Sequence, residues 1–211
     1  MDLLHFLFQG LCHQIPERSL SAGGVTMPVC ARCAGLYVAL AAALPVYIAR
    51  SKQRAGAPGR VFVAASIVAM LVFLADGAAN FELIALVNTP DYLRLATGAL
   101  AGFFLAPYIA LLFAKTLDDA DDAPMAGRMD AIVLVLATAA LTAMNLHPAK
   151  WLIEAESYLA AAGLVLFLGV AHMALLMLVV RRRVAIAASI AVFTVSAQIV
   201  MLAEMRKLIG L

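Results

Sequence analysis

Residues 158–180 read YLAAAGLVLFLGVAHMALLMLVV: 23 residues, no aspartate, glutamate, lysine or arginine, and a single histidine. A bilayer core about 30 Å thick is crossed by a helix of roughly 20 predominantly apolar residues. The helix is required because a chain in hydrocarbon must satisfy its own backbone N–H and C=O groups. Outward from this run, comparable runs occur at about Ala34–Ile48, Val61–Asn80, Leu93–Ala114 and Asp130–Leu146, and on its other side at Val184–Glu204. The pattern predicts an all-α fold, a polytopic transmembrane bundle of about six helices.

The rest of the chain agrees. It is 65% hydrophobic and only 13% charged over 211 residues, with a mean hydropathy of +0.99; soluble domains are about 45–50% apolar and about 25% charged. A net charge of +2, with no basic stripe carrying interleaved aromatics, excludes nucleic acid as a partner. No P-loop, dinucleotide fingerprint, GxSxG elbow or HExxH helix is present. The connections are too short for a soluble domain. The N-terminal LLHFLFQGL lacks a basic leader and is too short to span, so it reads as an interfacial helix or a segment packed on the bundle. The expected organisation is one domain: a Cys/His segment over residues 1–33 folded onto one end of a six-helix unit over 34–211.

Orientation follows from Lys and Arg. Arg50, Lys52, Arg54 and Arg60 fall in the first connection and Arg181, Arg182 and Arg183 in the fifth, with Lys115 and Arg128 in the third. That side is expected to be cytoplasmic, with both termini outside, in a bacterial inner membrane. Asp76, Asn80, Glu82, Asp91, Arg94, Asn145, His147, Glu154 and Glu156 then share the outer side with the N-terminal segment.

That segment, CHQIPERSLSAGGVTMPVCARCAGLY over Cys12–Tyr37, contains all three cysteines. Cys30-Ala-Arg-Cys33 has C-x2-C spacing, and Cys12-His13 can return to it through the small-residue linker SLSAGG. Three thiolates and an imidazole are the donor set that tetrahedral zinc favours. Two other readings remain compatible. A C-x2-C pair at a helix N-terminus, beside Arg32, is a candidate redox pair; three small buried hydrophobes with no chemistry are the plainest alternative. Pro16-Glu17-Arg18-Ser19 follows, placing Glu17 as a candidate base and Arg18 as a candidate anion ligand, or the two as an ordinary surface pair.

With these residues quoted, the segment resembles an uncharacterised family of bacterial integral membrane proteins, labelled a domain of unknown function, with the signature C-H-x-x-P-x-R-S followed by C-x-R-C-x-G-x-Y. Cys12, His13, Pro16, Arg18, Ser19, Cys30, Arg32, Cys33, Gly35 and Tyr37 match it. The resemblance further implies an Asp-Gly ending the second long helix and an Arg followed by Thr-Gly in the third, met by Asp76-Gly77 and by Arg94 with Thr97-Gly98. It groups these residues and assigns no reaction.

Inside the frame, Asp76 is costly at membrane depth and requires a partner; Arg94 is the expected one. Gly98 and Gly102 are spaced for close helix packing. His172 is expected to bond to the last helix through Ser196 or Gln198. LDDADD reads as a solvated loop. Pro45 and Pro107 are candidate helix breaks of the kind transporters use.

Three functions follow from this reading. One is a zinc site of Cys12, His13, Cys30 and Cys33, serving a metal-dependent enzyme for a lipid or lipid-linked substrate, with Asp76 or Glu17 as base and Arg18 or Arg94 on an anionic headgroup. The second is a thiol–disulfide oxidoreductase using Cys30 and Cys33, with a bilayer quinone. The third is a metal-stapled scaffold or transporter without catalysis. Whether the chain is an enzyme stays open at this level.

Overall fold

In the computed structural model, residues 2–9, 11–12, 14–79, 89–114, 122–180 and 184–209 are described. His13, Asn80, Glu82, Lys115, Arg181, Arg182, Arg183 and most of LDDADD lie outside them.

A short amphipathic helix, α1 (Asp2–Gln9), precedes a two-stranded hairpin, β1 (Ser21–Ala22) and β2 (Val25–Thr26). The long helices follow: α2 (Ala31–Arg50), α3 (Arg60–Ala79), α4 (Asp91–Ala114), α5 (Arg128–Met144), α6 (Lys150–Val180) and α7 (Val184–Ile209). The all-α expectation holds, with the long helices in the predicted order. Among the described residues, four are long and apolar enough to cross a membrane: Ala31–Arg50, Arg60–Ala78, Asp91–Ala114 and Lys150–Met177. α5 has 17 residues, about 26 Å at 1.5 Å per residue, slightly short of a full hydrocarbon core. Leucines, valines and isoleucines such as Val61, Ile67, Val68, Leu136 and Val165 stay exposed on the bundle, as a lipid-facing surface requires.

α2 is the central element, packed most extensively on α4 and then on α6. Glycines allow this. A Cβ on Gly98 would lie 1.9 Å from the Arg32 carbonyl, one on Gly102 2.3 Å from that of Leu36, and one on Gly163 1.9 Å from that of Tyr37. The small-residue face read in GALAG is therefore the α2–α4 contact. The Gly98 and Gly102 contacts set α4 parallel to α2, Lys150 puts the start of α6 beside the hairpin at Gly23, and the Arg32–Asp76 and Asn145–Glu156 contacts bring the C-termini of α3 and α5 to the starts of α2 and α6. Pro45 and Pro107 lie inside continuous helices, so neither makes the expected break. α6 begins eight residues earlier than expected, at Lys150 rather than Tyr158, which puts Glu154 and Glu156 on helix. Burial of Leu152, Ile153, Glu156 and Ser157 extends the core-facing stripe of α6 through the charges that suggested a loop.

α1 packs on α6 and α7, with Phe8 buried 5.9 Å from the Tyr37 ring. The hairpin lies against α6, turning through Gly23 and Gly24 at φ +56° and +78°. The N-terminal segment is thus fastened to the end of the bundle where α2 begins.

Candidate metal centre

Three segments converge at that end. Cys12 follows α1 directly, its backbone N–H donating to the Phe8 carbonyl at 2.9 Å. Cys30 is the N-cap of α2, and Cys33 is one turn into that helix, so both thiols lie on the same face of its first turn. Gln14 joins the first segment to the others. Its amide donates to the His5 carbonyl at 2.7 Å and the Pro28 carbonyl at 3.1 Å, while its backbone takes the left-handed φ of 51°, rare for a side chain of this kind.

The result is a compact trio. The three Sγ atoms all lie within 4.8 Å of one another, and none is in a disulfide. Cys12 is buried and Cys30 and Cys33 half-buried. The Cys30 backbone N–H donates to Cys12 Sγ at 3.3 Å, an orphan helix-start donor turned on a sulfur. Hydrogen bonds from the Cys30 and Cys33 thiols hold Cys12 well below the ordinary thiol range, and the same bond to Cys12 pushes Cys30 up. Three thiolates bound at about 2.3 Å to one tetrahedral ion stand roughly 3.8 Å apart, so the donor set and spacing fit zinc. His13, the expected fourth ligand, lies outside the described residues.

Between Cys30 and Cys33, Arg32 points to α3. Its Nη1 is 3.6 Å from Asp76 Oδ2 and its guanidinium lies over the Phe73 ring at 5.7 Å. A Cβ on Gly77 would come within 3.0 Å of Nη1, which explains an Asp-Gly at this place. Asp76 also accepts from the Thr89 and Thr97 hydroxyls, each at 3.1 Å. The expected Asp76–Arg94 pair is therefore corrected: Asp76 takes its cation from α2, while buried Arg94 lies 3.8 Å from Asp91 in its own first turn. Sequence order hid this, because Arg32 joins α3 only through the α2–α4–α3 packing. Glu17 is exposed on a single 3-10 turn, Pro16–Arg18, and neither it nor Arg18 enters the cysteine cluster.

A buried pair escaped sequence reading. Asn145, the C-cap of α5, donates through Nδ2 to Glu156 Oε1 at 2.7 Å, with both residues 2% exposed. The only signal was their common side of the membrane. His172 bonds within its own helix, Nδ1 to the Leu168 carbonyl at 2.8 Å, rather than to α7 as expected.

Fold and site together define a helical membrane protein with a tri-cysteine cluster at one end of its bundle. The family described as "Predicted membrane protein (DUF2085)" matches residues 12–108, the stretch from Cys12 through α4. An uncharacterised protein of Methanocaldococcus jannaschii is 32% identical over 111 residues, 52% of this chain and 68% of that one. The chain belongs to this family. No solved structure matches.

Proposed function

We propose that Cys12, Cys30 and Cys33, with His13 as fourth donor, hold a zinc ion at the outer end of the bundle, in a bacterial inner membrane with both termini outside. The observation that carries this reading is three thiols within 4.8 Å of one another, supplied by two segments far apart in sequence. Zinc bound by all four donors would tie the N-terminal segment to α2 as a closed structural site; were His13 or one thiol to stay free, water would take the fourth position and the ion would act as a Lewis acid. The chemistry would then concern a lipid or lipid-linked substrate, because the cluster lies beside Arg32 at the end of membrane helices.

In this reading Asp76 is a positioning residue. Its oxygens are engaged by two threonines and an arginine, which suits orienting Arg32 better than taking a proton. Elemental analysis of gently purified protein, with thiols counted in the same sample, tests the proposal. About one zinc per chain with reduced thiols supports it; no metal together with a disulfide rejects it.

A second reading draws on the thiolate character of Cys12. Cys30 and Cys33 would form a disulfide, passing two electrons and two protons to a bilayer quinone, with Cys12 as exchange partner. A Cys30–Cys33 pair that stays reduced in native membranes after oxidant treatment would reject it.

A further inference from the structure

The seam between α3 and α4 has a charged end and an apolar end. Beside the cysteines it carries Arg32, Asp76 and Thr97, with Arg94 one turn before Thr97 on α4. Further along, the two helices part into an apolar groove of about 420 Å³ whose walls include Ile67, Met70, Leu71, Phe104, Leu105 and Tyr108. The two ends are continuous: Asp76, Phe73, Met70 and Ser66 recur at helical spacing on α3, and Phe73 carries the Arg32 guanidinium. α3 is the least buried of the four candidate spans, so the groove opens sideways to the bilayer.

Depth and chemistry agree. At 1.5 Å per residue, groove positions Leu71 to Val63 stand roughly 8–20 Å along α3 from Asp76. One leaflet of hydrocarbon is about 15 Å deep, half of the core. With the charged cluster at headgroup level, the groove lies at acyl-chain level. The arginines retain donor capacity there. Their ion pairs, at 3.6 and 3.8 Å, are longer than hydrogen bonds. Arg32 Nη1 and Arg94 Nε are buried without a hydrogen-bond partner, and Arg94 is only 7% exposed. Buried unpaired guanidinium N–H groups are costly, and phosphate oxygens match their geometry.

We propose that this seam is a binding site for one anionic phospholipid, its phosphate at Arg32 and Arg94 and one acyl chain in the α3–α4 groove. The assignment rests on the arginines and the groove rather than on the cysteines, and it names a lipid class for the end of the bundle that carries the metal centre.

The test uses the full chain in mild detergent. Native mass spectrometry would follow added phosphatidylglycerol and phosphatidylcholine of identical acyl chains, with zinc measured in the same samples. One phosphatidylglycerol per chain is expected, with phosphatidylcholine bound about tenfold more weakly. Arg94→Gln should weaken phosphatidylglycerol by a similar factor, with Arg94→Lys between the two. Ile67→Trp, at an exposed groove edge where folding tolerates bulk, should reduce retention of both lipids and leave zinc in place. Equal binding of the two lipids, or undiminished phosphatidylglycerol in both Arg94→Gln and Ile67→Trp, would overturn the proposal. Preferential retention of an isoprenoid phosphate would overturn the acyl-chain assignment. Selective phosphatidylglycerol binding by protein without zinc would reject the metal reading alone.

Discussion

The two ends of the bundle are built on different principles. At the end away from the cysteines, Arg50 meets Asp130 at 2.6 Å, and Asp130 also accepts from the Tyr47 hydroxyl at 3.2 Å and the Gly127 backbone N–H at 2.9 Å. The Gly56 and Gly59 N–H groups pair with the Ala123 and Ala126 carbonyls. At the cysteine end the ion pairs stretch to 3.6 and 3.8 Å. Among the described residues, the four buried side-chain polar atoms without a hydrogen-bond partner, on Arg32, Arg94, Asn145 and Glu156, all belong to this end. Buried polar groups are normally satisfied. These four share the end of the bundle with the three clustered thiols, the end at which the working site is proposed, and the other end is the clasp.

The contrast would break most visibly at the metal. Cys33→Ser should lower zinc from about one per chain to near zero, whereas Arg50→Gln should leave it unchanged; parallel loss of zinc in both variants would erase the distinction. Helix packing comes next. Gly98→Val drives a side chain into the Arg32 carbonyl and should cost about 3 kcal/mol, read as a lowered melting temperature in detergent. Gly169→Ala, with nothing within 4 Å of its Cβ, should be neutral or stabilising by about 0.5 kcal/mol. Asp76→Asn removes the carboxylate facing Arg32. Because the Arg32 side chain is 20% exposed, a loss of about 2 kcal/mol is expected, less than for a fully buried pair. Smaller than for Asp76→Asn should be the effect of Arg50→Gln on stability. Its partner is closer, yet the Arg50 side chain is half exposed, so a change within about 1 kcal/mol follows. A larger loss there than for Asp76→Asn would reverse the assignment of clasp and working end.

Much of this frame was legible in the residues. Apolar runs have one inexpensive place to go, so helix number and order followed from them, and charges in the connections placed Asp76, Arg94, Asn145 and Glu156 on the cysteine side. Cys12, Cys30 and Cys33 were readable as a set because C-x2-C puts two thiols on one turn and a linker of small residues can return a third. The partner of Asp76 was not readable. Arg94 was the cation expected from the sequence, whereas the structure brings Arg32 to Asp76 from α2, past Gly77. Nor was the true start of α6. Glu154 and Glu156 look like solvent-facing charges until Asn145 is found beside Glu156.

By itself, then, the sequence determined a membrane-spanning all-α chain, the end where its chemistry gathers, and the thiols involved, because hydrophobic length and local spacing are one-dimensional properties. Only the tertiary structure decided that α2 is the centre, that Arg32 rather than Arg94 faces Asp76, and that, among the described residues, the four buried polar atoms without a hydrogen-bond partner gather at one end. Those outcomes depend on which helix faces approach within a glycine's width, a relation between surfaces remote along the chain.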